Sequence, residues 1–221
     1  MFVGHYAAAF AATAAEPKAP LWATVAGCQL VDIGWSVFIM TGIERASVDP
    51  TLPGSALVLE HMPWTHSLPM TFVWSAGASL LARLLLKTPW WASIVIGLSV
   101  ASHWLLDLLV HRPDLELWFG GEKVGLALWN YPVPEQALEM GLLAVFGAAW
   151  AASRKAQGRT AWPAVAFIAF LVTLQIVAMI SPVGEAGPAG PEVGMLALVV
   201  YLLVIGAALL VDRRGRASPS P

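Results

Sequence analysis

The chain has 221 residues, of which 58% are hydrophobic and only 12% charged, with a mean hydropathy of +0.71. Soluble domains carry roughly a quarter charged residues, so this composition points to a membrane protein. A formal net charge of −2 offers no basic surface and argues against nucleic acid as a partner, while a single cysteine, Cys28, excludes both a disulfide framework and a cysteine metal cage.

Runs such as "AWPAVAFIAFLVTLQIVAMI" are about the 20 apolar residues a helix needs to cross a bilayer, and the alternation of barrel strands is absent. The expected fold is all-α, a polytopic transmembrane bundle of about seven helices in a single domain. The helices fall at 3–15, 21–43, 67–87, 90–111, 135–153, 161–181 and 193–211. On this reading residues 1–153 carry the polar groups, 154–211 supply two further packing helices, and 212–221 form a polar cytoplasmic tail.

The first segment, "FVGHYAAAFAATAA", is short for a crossing and ends in small residues, as a cleaved signal does, yet it lacks a basic leader. It is expected to stay as a short helix entering from the outer side, with His5 in the outer half of the membrane. The second helix carries Asp32 near the middle of an apolar span, where solvation does not explain it.

The loop at 44–66 ends in "EHMPWTHSLPM". Pro63 argues against helix up to that point, and Thr65 reads as the N-cap of the helix that follows. His61, beside Glu60, then sits in a loop and His66 in a first helical turn, both at the outer interface.

The fourth helix ends "ASHWLLDLLVHRPD", with His103, Asp107 and His111 at i, i+4 and i+8. At 3.6 residues per turn these share one face, drifting about 40° per step, and Pro113 stops the helix just beyond. After the loop at 112–134, "LWNYPVPEQALE" brings Glu135 and Glu139 to the outer end of the next helix. Glu135 reads as a carboxylate favoured by the helix dipole; Glu139 reads as a partner to the site or a general base. Trp118, Trp129, Trp150 and Trp162 fall near helix ends, where an aromatic belt is the ordinary explanation. With the tail cytoplasmic, nine Lys and Arg residues fall inside and only Arg45, Arg112 and Lys123 outside, in keeping with the positive-inside rule.

All five histidines lie in the first half of the chain. Together with the two aspartates they are expected to converge in the outer half of the bundle. Tetrahedral zinc takes imidazole nitrogen and carboxylate oxygen, and when catalytic it keeps a position for water. The candidate ligands are His5, His61, His66, His103, Asp107 and His111, with Asp32 or Glu60 as base or orienting carboxylate. A hydrolase, a metal-ion or proton transporter using the same cluster, and a scaffold with a structural metal all accommodate this set.

"GHYAAAF", the aspartate of the next helix, "HMPWTHSL" and "SHWLLDLLVHRPDLEL" followed by "GLALWNYP" resemble the predicted membrane-bound metal-dependent hydrolases of the bacterial inner membrane, over about residues 4 to 140. The resemblance implicates His5, Asp32, His61, His66, His103 and Asp107, with His111 and Asp114 matching a subset of relatives. One family carboxylate is missing where this chain has Val31-Asp32-Ile33-Gly34. The resemblance implies a divalent metal, with zinc expected, and hydrolysis of an ester or phosphoester. A site near the interface suits an amphiphilic substrate drawn from the bilayer.

Overall fold

A bilayer offers no partner to a bare peptide group, so apolar runs fold as helices that satisfy their own backbone. The computed structural model describes residues 1–214, with helices α1 (His5–Ala15), α2 (Leu21–Cys28), α3 (Leu30–Thr41), α4 (Leu68–Leu85), α5 (Trp90–Val110), α6 (Pro132–Ala156), α7 (Trp162–Ile180) and α8 (Pro191–Arg214). The last five are each long and apolar enough to cross a membrane. The tail expected at 212–221 lies, from residue 215 onward, outside the described residues.

The helix expected at 21–43 is two helices, α2 and α3, meeting at a 49° bend across Gln29. Cys28, the last residue of α2, turns its carbonyl to the Nδ1 of His103 at 2.7 Å. The bend and that bond tie the broken span to α5.

The expected loops contain strands. β1 (Arg45–Val48) pairs antiparallel with β2 (Leu57–His61) on one side and β5 (Gly187–Pro188) on the other; β3 (Leu115–Glu116) and β4 (Lys123–Val124) form a separate hairpin. These segments leave the C-termini of α3, α5 and α7 and enter the N-termini of α4, α6 and α8, so all five strands belong to one end of the bundle. Backbone covering a membrane protein must still find partners, and short ladders supply them. Arg112 closes this end by donating to Asn130 Oδ1 and to the carbonyls of Ser55 and Pro53, and Lys123 donates to the carbonyls of Leu59 and Glu60. Lys18, Arg83, Lys87, Arg154, Lys155 and Arg159 lie in or beside the turns of the opposite end.

Between the two ends, α1 packs against α2 and α6 around Tyr6, Phe10, Leu143, Trp150, Phe167 and Leu171. Phe10 stacks on Trp150 with ring centroids 4.8 Å apart. Tyr6, the residue after His5 on α1, belongs to this cluster.

The C-terminus of α5 is finished by the strand-rich end. Leu126 and Ala127 donate backbone N–H groups to the carbonyls of Leu108 and His111, satisfying acceptors that a helix end leaves open. Gly125 allows this approach, because a Cβ there would collide with the carbonyl oxygens of His111 and Arg112. Gly125→Ala should therefore lower the melting temperature of the purified protein by about 2–6 °C, the effect of overpacking against backbone. Gly141→Ala, on α6 with nothing within 4 Å of the added methyl, should leave it unchanged or raise it.

Candidate metal centre

On α5 the spacing places His103 and Asp107 one turn apart, with His103 Nε2 3.0 Å from Asp107 Oδ2. Both side chains are buried. His111 follows as the residue that ends the helix, its Nε2 3.6 Å from Asp107 Oδ1. α3 brings Asp32, whose Oδ1 lies 3.4 Å from His103 Nε2 and 3.3 Å from His66 Nε2. α1 brings His5, with Nε2 3.1 Å from Asp107 Oδ1 and its ring stacked on His103 at 4.0 Å. Four histidines and two aspartates thus come together.

The other two candidates do not join them. His61 ends β2, its side chain 44% exposed and its Nδ1 3.7 Å from Glu116. Glu60 is exposed on the same strand. Alternation along a strand turns Leu59 inward and Glu60 outward, and the loop from Met62 to Ser67 separates His61 from His66.

Thr65 is not the cap expected of it. Ser67 occupies the N-cap position of α4, with Pro69 in the first turn, and His66 sits in the preceding turn with its amide donating to the carbonyl of Met62. Thr65 is occupied elsewhere. Its hydroxyl donates to Glu44 Oε2 at 2.6 Å and accepts from His66 Nδ1 at 2.8 Å.

That bond belongs to a pattern. His103 Nδ1 faces a backbone carbonyl, which only accepts, so Nδ1 carries the hydrogen. His66 Nδ1 faces a hydroxyl whose one proton is committed to Glu44, so it too must donate. His111 Nδ1 lies 3.0 Å from Asp114 Oδ1, and a carboxylate likewise only accepts. In each neutral ring the remaining Nε2 is therefore a bare lone pair, and all three point at the carboxylates of Asp32 or Asp107. Acceptors then face acceptors, which is repulsive unless a proton or a metal ion lies among them. His5 and His103 leave buried ring nitrogens without a hydrogen-bond partner. Burial holds the His111 pKa below its ordinary value, with Asp107 and Asp114 opposing the shift.

The donor set is imidazole nitrogen and carboxylate oxygen, suited to zinc and its first-row neighbours. Two triplets, His5-His103-Asp107 and Asp32-His66-His103, each bring their ligand atoms within 4.8 Å of one another. They share His103.

Supporting contacts hold the outer members in place. Glu139 on α6 accepts the backbone N–H groups of Phe2 and Gly4, fixing the segment that carries His5. The backbone nitrogen of Met1 lies 2.9 Å from Asp107 Oδ1. Trp104 donates its indole N–H to the carbonyl of His66, and Trp129 packs on the His111 ring at 3.9 Å.

Asp32, His66, Asp107 and His111 form one wall of a cavity of about 630 Å³. Its other walls come from the N-termini of α6 and α8 and the C-terminus of α7, and include Met179 and Val183, both more than half exposed on the bundle surface.

No curated protein and no solved structure matches the chain. A family model described as YdjM inner membrane protein matches residues 1–212. With nearly its whole length covered, and with apolar helices around a buried polar cluster, the chain belongs to the YdjM inner-membrane protein family.

Proposed function

We propose that the protein is an inner-membrane metal-dependent hydrolase acting on an ester or phosphoester of a lipid-like substrate, with zinc as its metal. The observation that carries this reading is the orientation of His66, His103 and His111, each fixed through Nδ1 so that Nε2 meets a carboxylate. His5, His66, His103 and Asp107 would hold the ion, and His111 closes the cluster beside Asp107. When bound, zinc supplies Lewis-acid polarisation and a nucleophile at neutral pH. Asp32, 13% exposed and lining the cavity, is placed to take a proton there, the role for which Glu60 lies too far out. The apolar walls favour an acyl or polyprenyl chain.

The segregation of basic residues supports an orientation in which the cluster opens toward the outer face and the C-terminus is cytoplasmic. A second reading is supported by the bend at Gln29. Broken helices line transport sites, and this one touches His103, so the same groups would serve a metal-ion or proton pathway.

Elemental analysis of the purified protein should find about one zinc per chain, lost in His103→Ala and Asp107→Ala and retained in His61→Ala and Glu60→Gln. Metal retained in both of the first two variants would remove α5 from the site. Thr65→Val, which cuts the link from His66 to Glu44, should weaken zinc affinity about 10–100-fold while leaving the fold intact. Flux of metal or protons across proteoliposomes, without ester cleavage on a panel of lipid esters and phosphoesters, would favour the transport reading.

Orientation is tested by labelling intact cells with a membrane-impermeant thiol reagent in a Cys28→Ser background. Phe119→Cys, at the strand-rich end, should react, and Gln157→Cys, at the basic end, should not. The reverse pattern would invert the topology.

A further inference from the structure

The far wall of the cavity holds a polar group that the metal cluster does not use. Glu135 and Gln136, in the first turns of α6, meet Gln175 of α7. Glu135 is 3% exposed and Gln175 is 4% exposed. Gln136 Nε2 donates to Glu135 Oε2 at 2.8 Å, and Gln175 Nε2 donates to Gln136 Oε1 at 2.9 Å.

The carboxylate sets the direction of this chain. Glu135 accepts, so Gln136 must turn its amide nitrogen to it and its oxygen to Gln175. Gln175 then spends its nitrogen on Gln136 and is left with Oε1, which is buried and has no partner. With Glu135 ionised, this wall offers an occupant acceptors only: Gln175 Oε1 and the open lone pairs of Glu135. Glu139, one turn along, is already satisfied by the amides of Phe2 and Gly4.

Charge points the same way. Four carboxylates line the cavity, those of Asp32, Asp107, Glu135 and Glu139, and among the described residues no lysine or arginine does. One divalent ion offsets the two aspartates and leaves the glutamates. A second anion would meet repulsion here. A hydroxyl would satisfy the acceptors but leave a buried charge uncompensated, whereas an ammonium group answers both.

We propose that Glu135 and Gln175 form a subsite for a protonated amine, so that the cavity's occupant is an amphiphile bearing an ammonium group. This deepens the hydrolase reading by naming the polar head of its substrate. The apolar wall beside Met179 and Val183 takes the chain and the acceptor wall takes the amine.

The test is binding, which needs no turnover. Hexylamine, hexan-1-ol and hexyl phosphate are titrated calorimetrically into the purified protein, with and without added zinc. Hexylamine should bind roughly tenfold or more tightly than either of the others, the range of one charge-assisted hydrogen-bond set. Glu135→Gln and Gln175→Met should each abolish most of that preference, and Glu60→Gln, exposed on β2 and away from the cavity, should keep it. Equal binding of the three, tighter binding of the phosphate, or a preference that survives Glu135→Gln would overturn the subsite. A protein that binds no zinc and cleaves no ester, yet shows the amine preference through Glu135, would sink the hydrolase and leave the subsite standing.

Discussion

Three imidazoles are held by their Nδ1 atoms so that lone pairs meet carboxylates, and most of the architecture at this end of the bundle follows from that constraint. Ionisable groups inside a membrane protein cost several kcal/mol unless paired or ligating. Here they are crowded, with nitrogen to oxygen separations from 3.0 to 3.8 Å around Asp32 and Asp107. Such a cluster is stable only if positive charge shares the space. Each Nδ1 partner comes from a different segment, Cys28 at the bend, Thr65 backed by Glu44 in a loop, and Asp114 just beyond α5, so the rings are fixed independently.

The irregular parts of the fold are explained by the same need. A straight helix from 21 to 43 would have its carbonyls committed along its own axis; the bend at Gln29 presents one of them to His103. The strand-rich end does for His66 and His111 what the bend does for His103. Glu116 accepts the amide of Met62 at the head of the loop that carries His66, and the 125–127 segment closes the carbonyls of Leu108 and His111. Arg112 and Lys123, two of the three basic residues at this end, are consumed in tying those segments together.

The sequence made plain what lies on one regular element. His103, Asp107 and His111 were readable from α5 because 3.6 residues per turn puts i, i+4 and i+8 on one stripe, and Asp32 stood out because no solvent reaches the middle of an apolar run. The bend was hidden, since the run stays largely apolar on both sides of Gln29, and neither Gln29 nor the nearby Asp32 marks a break by itself. His61 and His66 look alike in "EHMPWTHSLPM", and only the pairing of β2 with β1, which sets His61 opposite Arg45, separates the partly exposed ring from the buried one. The carbonyl of Cys28 carries no sequence signal, and Glu44 lies 21 residues from the threonine it holds. Glu135 read as a helix-start carboxylate because the chain of bonds that runs from it through Gln136 ends at Gln175, on the next helix in a run that looks purely apolar.

The distribution of polar atoms bears on which chemistry the cluster serves. A transport path from the cavity to the basic end would meet the layer of Tyr6, Phe10, Leu143, Trp150, Phe167 and Leu171, all buried, with Phe10, Trp150 and Phe167 packed ring against ring. Near that layer, Thr13 and Thr24 have their hydroxyls 2.9 Å apart and bonded to each other, and Thr24 also donates to the carbonyl of Leu21. Both are spent on helix packing. The cavity, by contrast, joins the cluster to the surface where Met179 and Val183 are exposed. An opening at the strand-rich end, with an apolar flank for a chain and polar groups at two walls, suits the proposed hydrolysis of an amphiphile better than it suits a through-going conduit.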